Sequence, residues 1–388
     1  MEGVNVMPHD NSVFHALLKQ LPWAIFEKQV EAHGTDHGVR ELSTKSQLIA
    51  LLYGQLSGAA SLRDIETGLE SHAARLYHLG AQPPRRSTLS DANRVRSCGV
   101  FADLLGSMLA LAHRGLRRHV REATFLIDST SVRLNSLSSD WARFRDGFYG
   151  AKVHVIYDPD ADRPTYAVVT AANVNDISVA KTMPIVPGAS YVFDLGYYDF
   201  GWLAELDEAG CRIVTRLKSN TPLSTVADLP VPVDGAILSD RIGHLPARQA
   251  KNRRNPFQDP VREIRVTIET GKVLRILTND LDASAQEIAD LYKRRWAIEL
   301  FFRWVKQTLR ITHFLGASEN AVRIQIAVAL IAFLLLRIAQ AAVKTTLSPL
   351  AFARLIRANL MHRRRIDRLL CSDPPSSLNP AQLAIQWS

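Results

Sequence analysis

Residues Tyr292 to Lys306 place four polar functional groups at helical spacing within a stretch that is otherwise largely apolar. At about 100° per residue, Tyr292, Arg295, Glu299 and Lys306 fall within roughly a 60° arc of one helix surface. Leu291, Trp296, Ile298, Leu300, Phe301, Phe302 and Val305 flank that stripe, so the segment reads as a largely buried helix. Ser284 followed by Glu287 reads as a capping box at its start, and no Pro or Gly interrupts the run before Arg310. One continuous helix is therefore expected. A carboxylate buried on such a helix must be neutralised or coordinated. Glu299 has a cation on each side of it along the stripe, which poises it for a metal or a phosphate. The competing reading is a solvated face laced by i,i+4 ion pairs, and the apolar surroundings weigh against it.

The partners of Glu299 are sought where strands end. From Ala123 the pattern becomes Thr124-Phe-Leu-Ile-Asp128, then Ala151 to Tyr157, then Tyr166 to Thr170, which predicts three strands in an antiparallel meander. Tyr191-Val-Phe-Asp194 follows, then a helix from Phe200 to Ala209 and a strand from Arg212 to Leu217. That order predicts an α/β fold with a mixed sheet and helices on its faces. Asp128 and Asp194 each close an apolar strand, at the loop edge where ligands bind in such folds. With Glu299 they make three acids able to hold two divalent hard cations, which clamp the oxygens of an in-line phosphoryl transfer, and Mg²⁺ suits oxygen donors. Each aspartate has a plainer alternative as a turn-orienting side chain. Asp158, in an acidic turn before Pro159, and Asp176, in a polar loop, are rivals, and Asp199 reads as a helix cap. His154, two residues after Lys152, reads as a packed strand histidine that faces the same way as the lysine.

Lys and Arg exceed Asp and Glu by nine, and the excess is gathered in clusters such as Arg85-Arg86, Arg253-Arg254 and Arg363 to Arg365. Such clusters favour a polyanionic partner. They are scattered over several segments rather than set on one amphipathic helix, so nucleic acid is preferred to a membrane surface. Cys98, Cys211 and Cys371 lie far apart, which supports neither a disulfide framework nor a zinc site and suggests a reducing compartment. The apolar run Ile326 to Leu336 is short for a bilayer and reads as a core helix.

Before the strands, residues 1–120 read as an all-helical domain, with starts at Thr44/Gln47, at Ser61/Asp64 and after Ser87-Thr88. Three short helices suit a DNA-binding module, and Arg85, Arg86, Arg94 and Arg96 are its candidate DNA contacts, although small helical domains serve many purposes. Residues 221–282 form a β-rich insertion with a hairpin turning at Gly271. Lys251, Arg253 and Arg254 are candidate DNA contacts within it. The core then splits into 121–220 and 283–345, and a basic tail occupies 346–388.

Tyr292-x₂-Arg295-x₃-Glu299-x₆-Lys306 resembles the Tyr-Arg-Glu-Lys signature of the DDE transposases of bacterial insertion sequences, insertion sequence family four in particular. Leu126-Ile-Asp128-Ser-Thr and Val192-Phe-Asp194-Leu-Gly-Tyr resemble that family's two aspartate motifs, and Arg216-Leu-Lys-Ser-Asn220-Thr resembles the strand leading into its β insertion. The likeness runs from about Phe14 to Leu336. It implies a ribonuclease-H-like core and two Mg²⁺ ions, with Mn²⁺ able to substitute, held by Asp128, Asp194 and Glu299. It further implies that Tyr292, Arg295 and Lys306 hold DNA phosphate near the cut. The partners implied are double-stranded DNA, as element ends and target, and a second copy in the assembled complex, with no membrane and a cytoplasmic, nucleoid-associated location. The expected activity is strand cleavage at the element's ends followed by joining of the 3′ ends to target DNA. A non-catalytic DNA-binding regulator or domesticated transposase is the alternative. Some relatives pass through a DNA hairpin by stacking a base on an aromatic residue of the insertion. Here that tract has no Trp, and Phe257 is its evident aromatic, so the hairpin step stays open.

Overall fold

The structure, a computed structural model, describes residues 11–114, 123–145, 147–231, 235–248, 254–308 and 314–370. The chain begins with helices: α1 (Val13–Leu18), α2 (Trp23–Ala32), α3 (Thr44–Ser57), α4 (Leu62–Glu70), α5 (Ala73–Leu76), α6 (Arg86–Val95) and α7 (Gly99–Arg114). Hydroxyl caps start α1, α3 and α4, with Ser12 accepting from His15 N and Ser61 forming a reciprocal box with Asp64. Ser43, not Thr44, caps α3 by accepting from Ser46 N. Thr44 donates its hydroxyl to Asp36 at 2.6 Å instead, and Gln47 is buried against Asn93 at 2.8 Å.

The core follows with β1 (Thr124–Leu134), α8 (Ser139–Ala142), β2 (Arg143–Arg145), β3 (Phe148–Asp158), β4 (Arg163–Ala171), α9 (Asp176–Ala180), β5 (Ser190–Phe193), α10 (Phe200–Glu208) and β6 (Arg212–Arg216). The expected meander is present: β1 pairs antiparallel with β3, and β3 with β4. β5 joins β1 in parallel, and β6 joins β5 in parallel. The result is the order β4-β3-β1-β5-β6, with β2 beside the far end of β3.

The tract read as an insertion supplies β7 (Ser224–Leu229), β8 (Ile237–His244), β9 (Val261–Thr267) and β10 (Val273–Thr278). Gly271 turns the β9–β10 hairpin at φ 75°, a backbone state that costs glycine little. The insertion does not stand apart, because β10 pairs antiparallel with β6 and the sheet runs on through β9 and β8 to β7. Buried Arg262 and Asp240 join β9 to β8 at 2.6 Å.

Next come α11 (Ala285–Lys293), α12 (Trp296–Thr308), α13 (Glu319–Ala342) and α14 (Pro349–Asn359). The single helix expected here is two. The amide of Arg295 bonds Tyr292 O, that of Ala297 bonds Arg294 O and that of Ile298 bonds Arg295 O, so a tight turn with three-residue spacing separates α11 from α12. The burial expected of the second helix also holds only in part. Ile298, Phe301, Phe302 and Val305 are buried, whereas Trp296 and Leu300 are exposed.

Helices cover both faces of the sheet. Leu126, Val153, Val155, Val192 and Val214 face the apolar sides of α12 and α13, and Phe125, Ile127, Tyr191, Phe193 and Ile213 face α10. Among the described residues α13 alone has the length and apolarity to cross a bilayer, and 83% of its most apolar stretch is buried. It is the core helix expected of Ile326 to Leu336, and it also contacts α3, α6 and α7. The helical region and the sheet therefore share one apolar core. The segment read as a basic tail is also structured as far as residue 370: Phe352 and Ile356 of α14 are buried, and Phe14 N bonds Leu360 O at 2.8 Å.

Candidate active site

Parallel pairing brings the two aspartates together. Leu126 stands opposite Val192 and Ile127 opposite Phe193, so the next position carries Asp128 and Asp194 side by side. Asp194 follows the end of β5, whereas Asp128, expected to close its strand, lies within β1, which runs on to Leu134 because β3 continues to pair with it. Asp128 accepts from the Ser129 amide at 2.7 Å, and Asp194 accepts from the Gly196 amide at 2.8 Å. Gly196 leaves room for that close approach: a Cβ there would lie 3.1 Å from Asp194 Oδ1 and 3.4 Å from Asp176 Oδ2, so both carboxylates would have to give slightly.

The turn between α11 and α12 then aims the helical stripe at this edge. Residues three apart eclipse one another in such a turn, and the Arg295 guanidinium lies 5.9 Å from the centre of the Tyr292 ring. From there Arg295 donates to Glu299 Oε1 at 2.5 Å, and its other terminal nitrogen lies 3.4 Å from Asp128 Oδ2. Arg295 thus bridges an acid of the sheet and the acid of the helix. The third acid is close enough to be felt electrostatically: burial raises the Asp128 carboxyl to about 6, Asp194 and Glu299 push it the same way, and the Ser129 amide and Arg295 oppose them. Burial lifts the Tyr292 hydroxyl above its ordinary range and lowers Lys306, in the last turn of α12, below its own.

A fourth carboxylate flanks the pair. Asp176 opens α9 and accepts from Ser129 Oγ at 2.8 Å and from Lys152 Nζ at 3.1 Å. Buried His154 places Nδ1 3.5 Å from it and shares a 2.9 Å hydrogen bond with Thr170 through Nε2. Burial depresses that imidazole to about 4, against the pull of Asp176. The reading of His154 as a packed strand histidine agrees with this, as does the shared face with Lys152. The part played by Ser129, Lys152 and Asp176 was missed. The register Ser129↔His154 and Ser131↔Lys152 is the signal that exposes it.

The three acids offer only oxygen donors, the chemistry of a hard divalent cation. Among the described residues no three acidic, histidine or cysteine groups already stand at metal-binding spacing. Arg295 supplies the positive charge between two of them, so the donor set fits such a cation without being a closed cage.

The other predicted contacts are dispersed. Arg85, Arg86 and Arg94 are exposed on or beside α6, with Arg94 3.3 Å from Asp91. Arg96 is half-buried and donates to Gln47 Oε1 at 3.1 Å and to Leu42 O, which ties α6 to α3. Arg254 is exposed in a short bridge to Arg248, and Lys251 and Arg253 lie outside the described residues.

The family model described as transposase DDE domain matches residues 121–335, and one for a domain of unknown function matches residues 9–82. A putative transposase of Sinorhizobium fredii is 40% identical over 301 residues, covering 77% of this chain and 83% of the relative. A probable transposase for insertion sequence element IS5377 of Geobacillus stearothermophilus is 30% identical over 255 residues, 65% of this chain and 66% of the relative. A putative transposase for insertion sequence element IS4SA of Synechocystis is 26% identical over 288 residues, 70% of this chain and 77% of the relative. Among solved structures, the piggyBac transposase synaptic complex with hairpin DNA shares the fold, with a TM-score of 0.50 at 13% identity over 94% of this chain and 83% of that one.

Proposed function

The chain belongs to the DDE transposase family, and from that premise we propose that Asp128, Asp194 and Glu299 are its metal-binding acids and that Arg295 moves between those acids and DNA phosphate. As a DNA transposase of the insertion-sequence kind, it acts on DNA by cutting and joining strands. The observation that carries the assignment of residues is the Arg295 bridge, which joins the acid of α12 to an aspartate of β1 beside Asp194.

Two divalent cations, magnesium in the first instance and manganese as a substitute, supply water activation and charge neutralisation when bound. The chain's own residues do the rest. Asp128 and Asp194 offer carboxylate oxygens from neighbouring strands, Asp128 within β1 and Asp194 just past β5, and Glu299 offers a third carboxylate from the facing helix. Arg295 keeps the acids from repelling one another, and its planar fork matches a phosphate once the carboxylates have another cation. The Tyr292 hydroxyl donates a single hydrogen bond, and Lys306 gives a point charge further along α12. We further infer that two copies assemble on two element ends.

Incubation of the full chain with labelled element ends and MgCl₂ is the direct test. Wild-type protein should nick the ends and join them to target DNA, and Glu299→Gln should bind the ends without cutting them. Undiminished cleavage by Glu299→Gln would remove the assignment.

A further inference from the structure

β1 and β3 run on past the acids, and the end of this extension carries a cluster for which the cutting chemistry has no use. Phe144 on β2 and Phe148 at the start of β3 are 52% and 43% exposed. Arginines are stacked on both. The Arg145 guanidinium is 4.5 Å from the centre of the Phe148 ring and 5.9 Å from that of Phe144, and Arg133 on β1 is 5.5 Å from Phe148. The turn that brings Phe148 back beside Arg145 passes through Gly147 at φ 72°.

We propose that this hairpin is a stacking platform for single-stranded DNA leading away from the acid site. Two phenylalanines open to water and bridged by one guanidinium form an apolar surface that a flat partner can cover. The arginines specify that partner. A ring flanked by guanidinium groups offers a flat apolar face together with positive charge, the combination that receives an unpaired base and its phosphate. A base in an intact duplex is already stacked on its neighbours, so the platform selects a strand with free bases. Location agrees: Arg133 lies five residues along β1 from Asp128, about 17 Å at the rise of a strand, which is roughly five nucleotides at the ~3.4 Å spacing of duplex DNA and fewer of a strand that has been pulled straight. That distance from the cut rests on the assignment of the acids made above, whereas the platform itself does not.

The test is binding by the full chain, without divalent metal, of a labelled 16-nucleotide oligothymidylate and of a 16-base-pair duplex, read by fluorescence anisotropy. Phe144→Ala and Phe148→Ala should each weaken oligothymidylate binding roughly ten-fold and leave duplex binding within about two-fold. Phe144→Trp with Phe148→Trp should keep it, and Arg145→Ala should weaken both ligands. The proposal fails if wild-type protein does not bind oligothymidylate, or if the alanine variants bind it unchanged. It also fails if leucine at both positions restores full affinity, or if duplex binding falls equally. A shift from dimer to monomer in sedimentation with oligothymidylate affinity unchanged would assign the patch to a second copy instead. Because no cleavage is read, this outcome is separable from failure of the acid assignment, and the tryptophan pair remains informative should an alanine variant fold poorly.

Discussion

Arg295 holds Glu299 at 2.5 Å and reaches Asp128 at 3.4 Å, so one guanidinium balances the acid of the helix and an acid of the sheet. Arg295→Ala should therefore leave like charges facing one another and lower the stability of the metal-free protein by about 1–3 kcal/mol. The same variant should gain more from added MgCl₂ than wild type, because the cation would take over a charge that nothing else supplies. Arg295→Lys should fall between the two, as a point charge cannot fork to both carboxylates. Thermal melts with and without MgCl₂ check this, and a magnesium shift equal to that of wild type would show that Arg295 and the ion do not share a place.

Replacing the acids one at a time should separate chemistry from binding. Asp128→Asn, Asp194→Asn and Glu299→Gln keep the size of each side chain and remove its charge. Each should lower cleavage of labelled element ends by at least about 100-fold, the loss that even an outer partner of a metal ligand can cause, with end binding within a few-fold of wild type. Retained cleavage in the Asp194 variant alone would point to Asp176, which shares its surroundings at Gly196.

Much of this arrangement was legible in the chain, for identifiable reasons. Thr124 to Asp128 and Tyr191 to Asp194 are short apolar runs each ended by an acid, and such runs form buried neighbouring strands. β5 stops before Asp194 as expected, whereas β1 runs on past Asp128 to Leu134, because its pairing with β3 continues through residues that carry no apolar run. The break at Arg294 and Arg295 was not legible, since Lys, Arg and Trp carry no helix-stop signal and the tertiary bond of Arg295, to Asp128, comes from 167 residues away. The bonds of Arg96 were hidden because Gln47 and Leu42, which accept them, lie 49 and 54 residues away. The burial of Phe352 and Ile356 was hidden in a segment read for its charge. Asp176 was weighed as a rival acid, but its polar loop gives no hint of the bonds it accepts from Ser129 and Lys152 on two adjacent strands.

The Arg262–Asp240 pair should show whether the insertion folds with the core. Both side chains are almost wholly buried, 5% and 2% exposed, and the pair joins β9 to β8 within the continuous sheet. Removing one partner strands a buried charge, so Asp240→Ala should cost about 3–5 kcal/mol, whereas Asp240→Leu with Arg262→Met should restore most of the loss. Urea unfolding followed by far-ultraviolet circular dichroism measures both. A separate early transition confined to the single variant would mean that the outer strands unfold on their own.

Acid should act on Asp128 and His154 in opposite directions. Burial holds Asp128 at about 6, well above the ordinary 3.8, so between about pH 4 and 6 the folded chain keeps a proton that the unfolded chain has released. Through Asp128, stability therefore falls as pH rises across that window. Burial holds His154 at about 4, below the ordinary 6.5, so between about pH 6.5 and 4 the unfolded chain takes up a proton that the folded chain refuses. Through His154, stability falls as pH drops. Other groups, among them the depressed carboxyls of Asp199, Glu263 and Asp280, also lose stability in acid, so the two contributions are read as differences from wild type. Asp128→Asn should lose more stability than wild type on acidification from pH 7 to 4.5. His154→Gln should lose less than wild type over the same range. Urea midpoints at pH 4.5, 5.5 and 7 read both differences, and a variant that follows the wild-type slope would show that its group does not titrate as its burial requires.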